Sequence, residues 1–185
     1  MAAHGAAPHK MIFYEAFGLE PALAIDPEEL KSRFYERSRQ WHPDKFSRAS
    51  VAEQQKALEM TAVLNDAFRT LRDPVSRAEY FLKEKGFELS KEAPPELLEE
   101  VFELNMALEE MKEGDESARP QLIEARDRFI AMRDSIDAAL AEAGARYDDE
   151  HGLKSVPPLD EIRGMLNRRR YIRNLIRDVE HVLPN

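Results

Sequence analysis

The stretch SRQWHPDKFSRAS, residues 38–50, decides how the first half of the chain folds. Pro43 lacks an N–H and disfavours the α conformation at His42, so a helix reaching it from the N-terminal side must end there. Upstream, IDPEELKSRFYERSRQW carries a helix start: Asp26 as N-cap, Pro27 at the first helical position, Glu28 and Glu29 in the first turn. Leu30, Phe34 and Trp41 form its inner stripe, interrupted by Arg37, whose stem is expected to lie on the core while its head reaches water. Downstream, Ala57, Thr61, Leu64, Phe68 and Leu71 recur at helical spacing, which predicts a longer helix over about 51–71. Asn65, beside that stripe, would need a partner if buried. The two helices form an antiparallel pair with His42-Pro43-Asp44 at its tip.

Working outward, a short helix is expected over 13–17, ending before Gly18. RDPVSRAEYFLKEKGF starts a fourth helix, with Asp73 as cap and Pro74 at the first position, and Gly86 ends it. ELSKEAPPE reads as a linker. Three further helices are expected over 96–112, 118–143 and 159–182, with a polar connection beginning at Gly144, and these make a small three-helix bundle. Alternating β-branched runs and Asn-Gly hairpin signals are absent. The fold class is therefore all-α: a leader over 1–10, a helical-hairpin domain over 11–88, a linker over 89–95 and a bundle over 96–185.

Composition narrows the function. The 185 residues carry 34 % charged and 43 % hydrophobic side chains and a net charge of −9. That balance argues against wholesale binding to nucleic acid or anionic membrane. The chain has no cysteine, which removes disulfides, thiolate metal sites and thiol nucleophiles. No apolar run approaches the roughly 18 residues of a membrane span. MAAHGAAPHK lacks the features of a signal or transit peptide, so residues 1–10 are read as a disordered leader and the protein as cytoplasmic.

The tip itself has several readings. It is a turn, with Asp44 ordering its own backbone. As a catalytic pair, His42 and Asp44 lack a nucleophile, a Gly-x-Ser-x-Gly elbow and a phosphate loop. As a metal site they lack further ligands, because His4, His9, His151 and His181 show no ligand spacing. As a recognition surface, Asp44 offers a carboxylate to an arginine, His42 donates or accepts, and Pro43 lowers the ordering cost of docking. Lys31, Arg33, Arg37 and Arg39 are candidates for an adjoining basic face, with a solvated charge the alternative for each, and the favoured one for Arg33.

In the bundle, PELLEEVFELNMALEEM carries two apolar stripes. Leu97, Val101, Leu104, Leu108 and Met111 complete a packing seam. Leu98, Phe102 and Met106 form a second stripe about 100° away, bordered by Glu103. It is either core for a second helix or a docking face. The last helix is rich in arginine: Arg163, Arg168, Arg169, Arg170, Arg173 and Arg177. An RNA-binding face competes with pairing to the acids of the first bundle helix, and the net charge favours pairing.

A helix, then WHPDKF, then a long helix holding LNDAF, resembles a J domain. YEAFGL, HPDKF, LNDAFRTLRDPVSRAEYFL and KGFEL are together similar to the HscB family of J-type co-chaperones of iron–sulfur cluster assembly, over roughly residues 11–183. The resemblance implies a bacterial-type member without the zinc module, no enzymatic activity and no cofactor or metal. It implies stimulation of an HscA- or DnaK-type chaperone ATPase through His42, Pro43 and Asp44, with Lys31, Arg39 and Lys45 beside them. It further implies an IscU-type scaffold protein held at Leu98, Phe102, Glu103, Met106 and Tyr171, with neither nucleic acid nor membrane as partner. Glu99 and Met106 depart from the residues relatives often carry there. Service to a different client, in protein folding or assembly, is the alternative.

Overall fold

The computed structural model describes residues 11–90, 92–149 and 159–183. Every regular element among them is helical: α1 Ile12–Phe17, α2 Pro27–Gln40, α3 Val51–Arg72, α4 Pro74–Glu84, α5 Leu98–Lys112, α6 Arg119–Asp149 and α7 Leu159–Val182. The leader over 1–10 and the loop residues 150–158 of the expected polar connection lie outside the described residues. Contacts divide the chain into two compact units. Among described residues the first holds 11–87 with 144–149, the second 88–143 with 159–183.

In the first unit, local chemistry sets the helix ends and α3 gathers the rest. Gly18 closes α1 at φ 64°, a conformation that favours glycine. The Asp26 carboxylate caps α2 by accepting from the N–H groups of Glu28 and Glu29. Ser50 and Glu53 form a reciprocal capping box at the start of α3. Asp73 caps α4 through the Ser76 N–H at 2.7 Å. α3 packs against α1, α2 and α4, burying Ala57, Leu64, Ala67 and Leu71 against Tyr14, Phe17, Leu30, Phe81 and Leu82. Phe34 stacks on Phe68 with ring centroids 4.3 Å apart, locking α2 to α3. Asn65 is exposed and needs no partner.

A polar knot, unforeseen from the sequence, organises the segment between α1 and α2. Arg77 on α4 is buried and donates to the carbonyls of Leu23 at 2.8 Å and Leu71 at 2.6 Å. The Tyr14 hydroxyl donates to the Ala22 carbonyl at 2.6 Å. The Asp148 carboxylate accepts from the N–H groups of Leu23 and Ala24. Burial pushes the Tyr14 hydroxyl above the usual tyrosine range and pulls the Arg77 guanidinium below its ordinary value. Asp148 belongs to an extension of α6 beyond the expected end at Ala143. Gly144 is not a stop signal; a Cβ there would sit 3.1 Å from the Leu23 Cβ. Its place in mid-helix is explained by that close approach. The helix runs on to Asp149, with Tyr147 edge-on to Phe81 at 5.6 Å. Residues 144–149 therefore pack in the first unit, not in the expected bundle.

The second unit is a three-helix bundle. A 3-10 turn, Pro95–Leu97, leads into α5. Leu97 of that turn and Leu104, Ala107 and Leu108 of α5 meet Leu122, Ala125 and Phe129 from α6 and Ile172, Leu175, Ile176 and Val179 from α7. Val101 and Met111 pack partly buried at its edge. The expected seam is thus the core-facing side of α5. Arg168 pairs with Glu96 near the start of α5, and Arg169 pairs with Asp137 of α6.

Candidate functional site

The His42 tip is a rigid projection. Trp41 ends α2, with its N–H on the Arg37 carbonyl at 3.1 Å. Its own carbonyl lies 3.2 Å from the Thr61 hydroxyl of α3, which also reaches the Ala57 carbonyl at 2.8 Å. The Trp41 ring stacks on Phe46 at 5.8 Å with the planes 8° apart, and the Lys56 ammonium lies 5.6 Å from the Trp41 ring centre. Residues 43–46 between these rings wind into a 3-10 turn. Aromatic stacking and one hydroxyl clamp hold both ends of the loop.

Within the loop the capping roles differ from expectation. The His42 imidazole, not Asp44, orders the turn: its Nδ1 accepts from the Asp44 N–H at 3.3 Å. Acceptance leaves Nδ1 unprotonated, so Nε2 carries the proton and is a donor. The Asp44 carboxylate stands 3.6 Å from Nδ1, with its side chain 90 % exposed. Pro43 holds His42 extended at φ −60° and ψ 127°. The result is an imidazole N–H and a carboxylate offered outward from a stiff support. Among the described residues no three His, Asp or Glu side chains converge as metal ligands do.

The basic candidates on α2 separate. Arg33 turns back on its own unit, donating to the carbonyls of Phe17 and Gly18 at 3.1 Å each and to Glu29, so it caps α1. Arg37 is half-buried and donates to Gln40. Lys31 is exposed, 3.9 Å from Glu28. Arg39 and Lys45 are exposed and line one shallow groove with Ser32, Tyr35, Ser38 and His42. Tyr35 escaped the sequence reading, although its offset from the Leu30–Phe34–Trp41 stripe places it on the outer face.

In the second unit, Leu98, Phe102 and Met106 are 56 %, 67 % and 52 % exposed. The second stripe is therefore not core, because α6 and α7 both pack against the Leu97–Leu104–Leu108 side. Glu103 is exposed beside it, and Tyr171 on α7 is half-buried against the bundle core. The arginines of α7 are largely engaged with acids: Arg163 with Asp160, Arg168 with Glu96, Arg169 with Asp137, Arg177 with Asp178. Cross-helix pairing exists, but α6 supplies one partner that was expected from α5.

An antiparallel helix pair bearing His-Pro-Asp on a clamped tip is the arrangement of a J domain, and residues 12–80 match the DnaJ domain family. The first unit is a J domain. Over 92 % of its length the chain is similar to the chaperone HscB from Vibrio cholerae, at 29 % identity, covering 96 % of that chain with a TM-score of 0.63. The crystal structure of the human co-chaperone protein HscB shares the fold over 97 % of this chain and 83 % of its own, at 23 % identity and a TM-score of 0.66. The chain is an HscB-like J-domain co-chaperone.

Proposed function

We propose that this protein stimulates the ATPase of an HscA- or DnaK-type chaperone and delivers to it an IscU-type iron–sulfur scaffold protein. The observation that carries the reading is the clamped loop that exposes the His42 imidazole and the Asp44 carboxylate from the tip of a J domain. Asp44 accepts from a cation on the chaperone, His42 donates through Nε2, and Pro43 keeps the loop from paying an ordering cost. Arg39, Lys45 and Lys31 steer an acidic surface toward the tip. Docking favours the hydrolysis-competent state of the chaperone, and stimulation is limited by how much better this chain binds that state than the other.

Leu98, Phe102 and Met106, edged by Glu103 and with Tyr171 in the same unit, hold the scaffold. An exposed apolar stripe with an acidic border suits a protein interface. One chain carrying both surfaces raises the effective concentration of client at the chaperone. No bond is made or broken on this chain, and the compartment that fits is the cytoplasm.

Steady-state ATP hydrolysis by a purified DnaK-type chaperone tests the first half. His42→Gln is expected to lose stimulation while scaffold binding, measured by calorimetry, persists. Phe102→Ala is expected to weaken scaffold binding and leave stimulation without client intact. Unchanged stimulation by His42→Gln would sink the docking assignment. Scaffold binding that is absent even in the wild type would replace the client with one from general folding or assembly.

A further inference from the structure

The exposed stripe of α5 carries the most accessible sulfur among the described residues. Met106 is 52 % exposed. Of the other described methionines, Met11 is buried, and Met60, Met111, Met132 and Met165 are half-buried. The chain has no cysteine, so no thiol of its own competes with the Met106 thioether for an oxidant. Phe102 lies one helical turn before Met106 on the same face and is itself 67 % exposed. The thioether is thus both the soft nucleophile most open to solvent and part of the apolar surface proposed above to hold the scaffold. Its other neighbours one turn away, Glu103, Glu109 and Glu110, are all exposed. Glu109 is engaged by the Lys112 ammonium at 2.6 Å. Carboxylates accept hydrogen bonds and do not donate them, so one turn in either direction offers no donor to an oxygen placed on that sulfur.

We infer that Met106 is an oxidation site, and that a peroxide acting there switches client binding off. The sulfur lone pair attacks one peroxide oxygen. The O–O bond breaks as the S–O bond forms, and the proton of the transferred oxygen passes to the departing hydroxide. The products are the sulfoxide and water, with the sulfur oxidised by two electrons and the peroxide reduced by two. A flexible apolar side chain becomes polar and gains a strong acceptor. In the free protein, water satisfies that acceptor. Against a bound client the water must leave, and Phe102 and the three carboxylates put nothing from this chain in its place, so docking carries a desolvation cost. The inference rests on the client role proposed for this stripe and adds its regulation. The His42 loop, residues 41–46, holds no sulfur, so chaperone stimulation continues while client delivery stops. Enzymatic reduction of the sulfoxide restores the surface.

Treating the full chain with hydrogen peroxide, and removing the peroxide before any partner is added, tests the switch. Peptide mass spectrometry is expected to place the added oxygen on Met106 ahead of Met11, Met60, Met111, Met132 and Met165. Calorimetry with an IscU-type scaffold should then show affinity weakened roughly tenfold, as an unsatisfied acceptor in an interface does. Thermal unfolding and stimulation of a DnaK-type ATPase should be unchanged, and methionine sulfoxide reductases acting on both epimers should restore scaffold binding. Met106→Leu cannot take up the oxygen, so its own affinity should be the same before and after peroxide. An oxidised Met106 with unweakened binding would overturn the inference, as would oxygen found first on a half-buried methionine. So would a Met106→Leu chain that loses as much affinity on treatment as the wild type. In each of those cases the untreated wild type still binds, and the client role stands. An untreated wild type that does not bind the scaffold would remove the client role and the switch together.

Discussion

The His42 loop is presented by its supports, whereas the Leu98–Phe102–Met106 stripe is presented by the helix that carries it. The loop owes its shape to groups outside the tripeptide: the Thr61 hydroxyl under the Trp41 carbonyl, the Trp41–Phe46 stack and Lys56 over the indole. The stripe owes its position to helical periodicity alone. With Leu97, Leu104 and Leu108 fixed in the core, Leu98, Phe102 and Met106 must face out. The geometry of the loop is therefore sensitive to distant packing, and that of the stripe to little beyond its own side chains.

Substitutions can break that contrast, and the largest effect is expected on one helix. Leu104→Ala should cost about 3 kcal/mol of stability through lost burial and a cavity, read by urea unfolding. Phe102→Ala, two positions earlier, should stay within about 0.5 kcal/mol while scaffold affinity falls. Equal destabilisation by the two would mean that the stripe is core after all.

Next is Arg77→Met. Two carbonyls, of Leu23 and Leu71, lose a charged donor, and about 2 kcal/mol should go with them. Thermal unfolding would register the loss, with scaffold binding retained because the substitution touches only the first unit. Thr61→Val comes third: it keeps the shape and removes the hydroxyl, at about 1 kcal/mol. Its informative readout is ATPase stimulation, which should weaken as the start of the loop loosens. Stimulation as strong as wild type would show that the aromatic stack alone positions His42.

The smallest effect concerns pH. Hydrogen bonds from the Ser50 side chain, then from its backbone, hold the Glu53 carboxyl below its ordinary value of 4.5. Because the folded value is the lower one, the stabilisation is complete above the unfolded value and fades as pH falls through the folded value. Ser50→Ala should flatten the acid side of the stability profile below about pH 4.5, measured by thermal unfolding across that range. An unchanged slope would place the acid sensitivity elsewhere.

The sequence by itself determined what local chemistry and periodicity encode. Asp26-Pro27 and Asp73-Pro74 start helices where expected, Pro43 stops one, and Gly18 and Gly86 stand at positive φ just past α1 and α4. The two stripes on α5 were legible because a one-residue offset is a 100° rotation whatever surrounds the helix. The all-α class followed from the same periodicities, and the candidate tripeptide from its place between two of them.

Tertiary structure decided everything that required a partner far along the chain. Gly144 reads as a helix end until Leu23 lies against it, and the helix then continues to Asp149. Arg77 reads as one more helix cation until the carbonyls of Leu23 and Leu71 converge on it. Arg33 reads as a solvated surface charge until the C-terminus of α1 arrives to take its guanidinium. Whether Leu98, Phe102 and Met106 were core or surface depended on how many helices pack on α5 and from which side. Backbone propensity acts over a few residues, but burial and the satisfaction of polar groups are settled only when separate helices and their connections meet, and no local pattern announces which ones will.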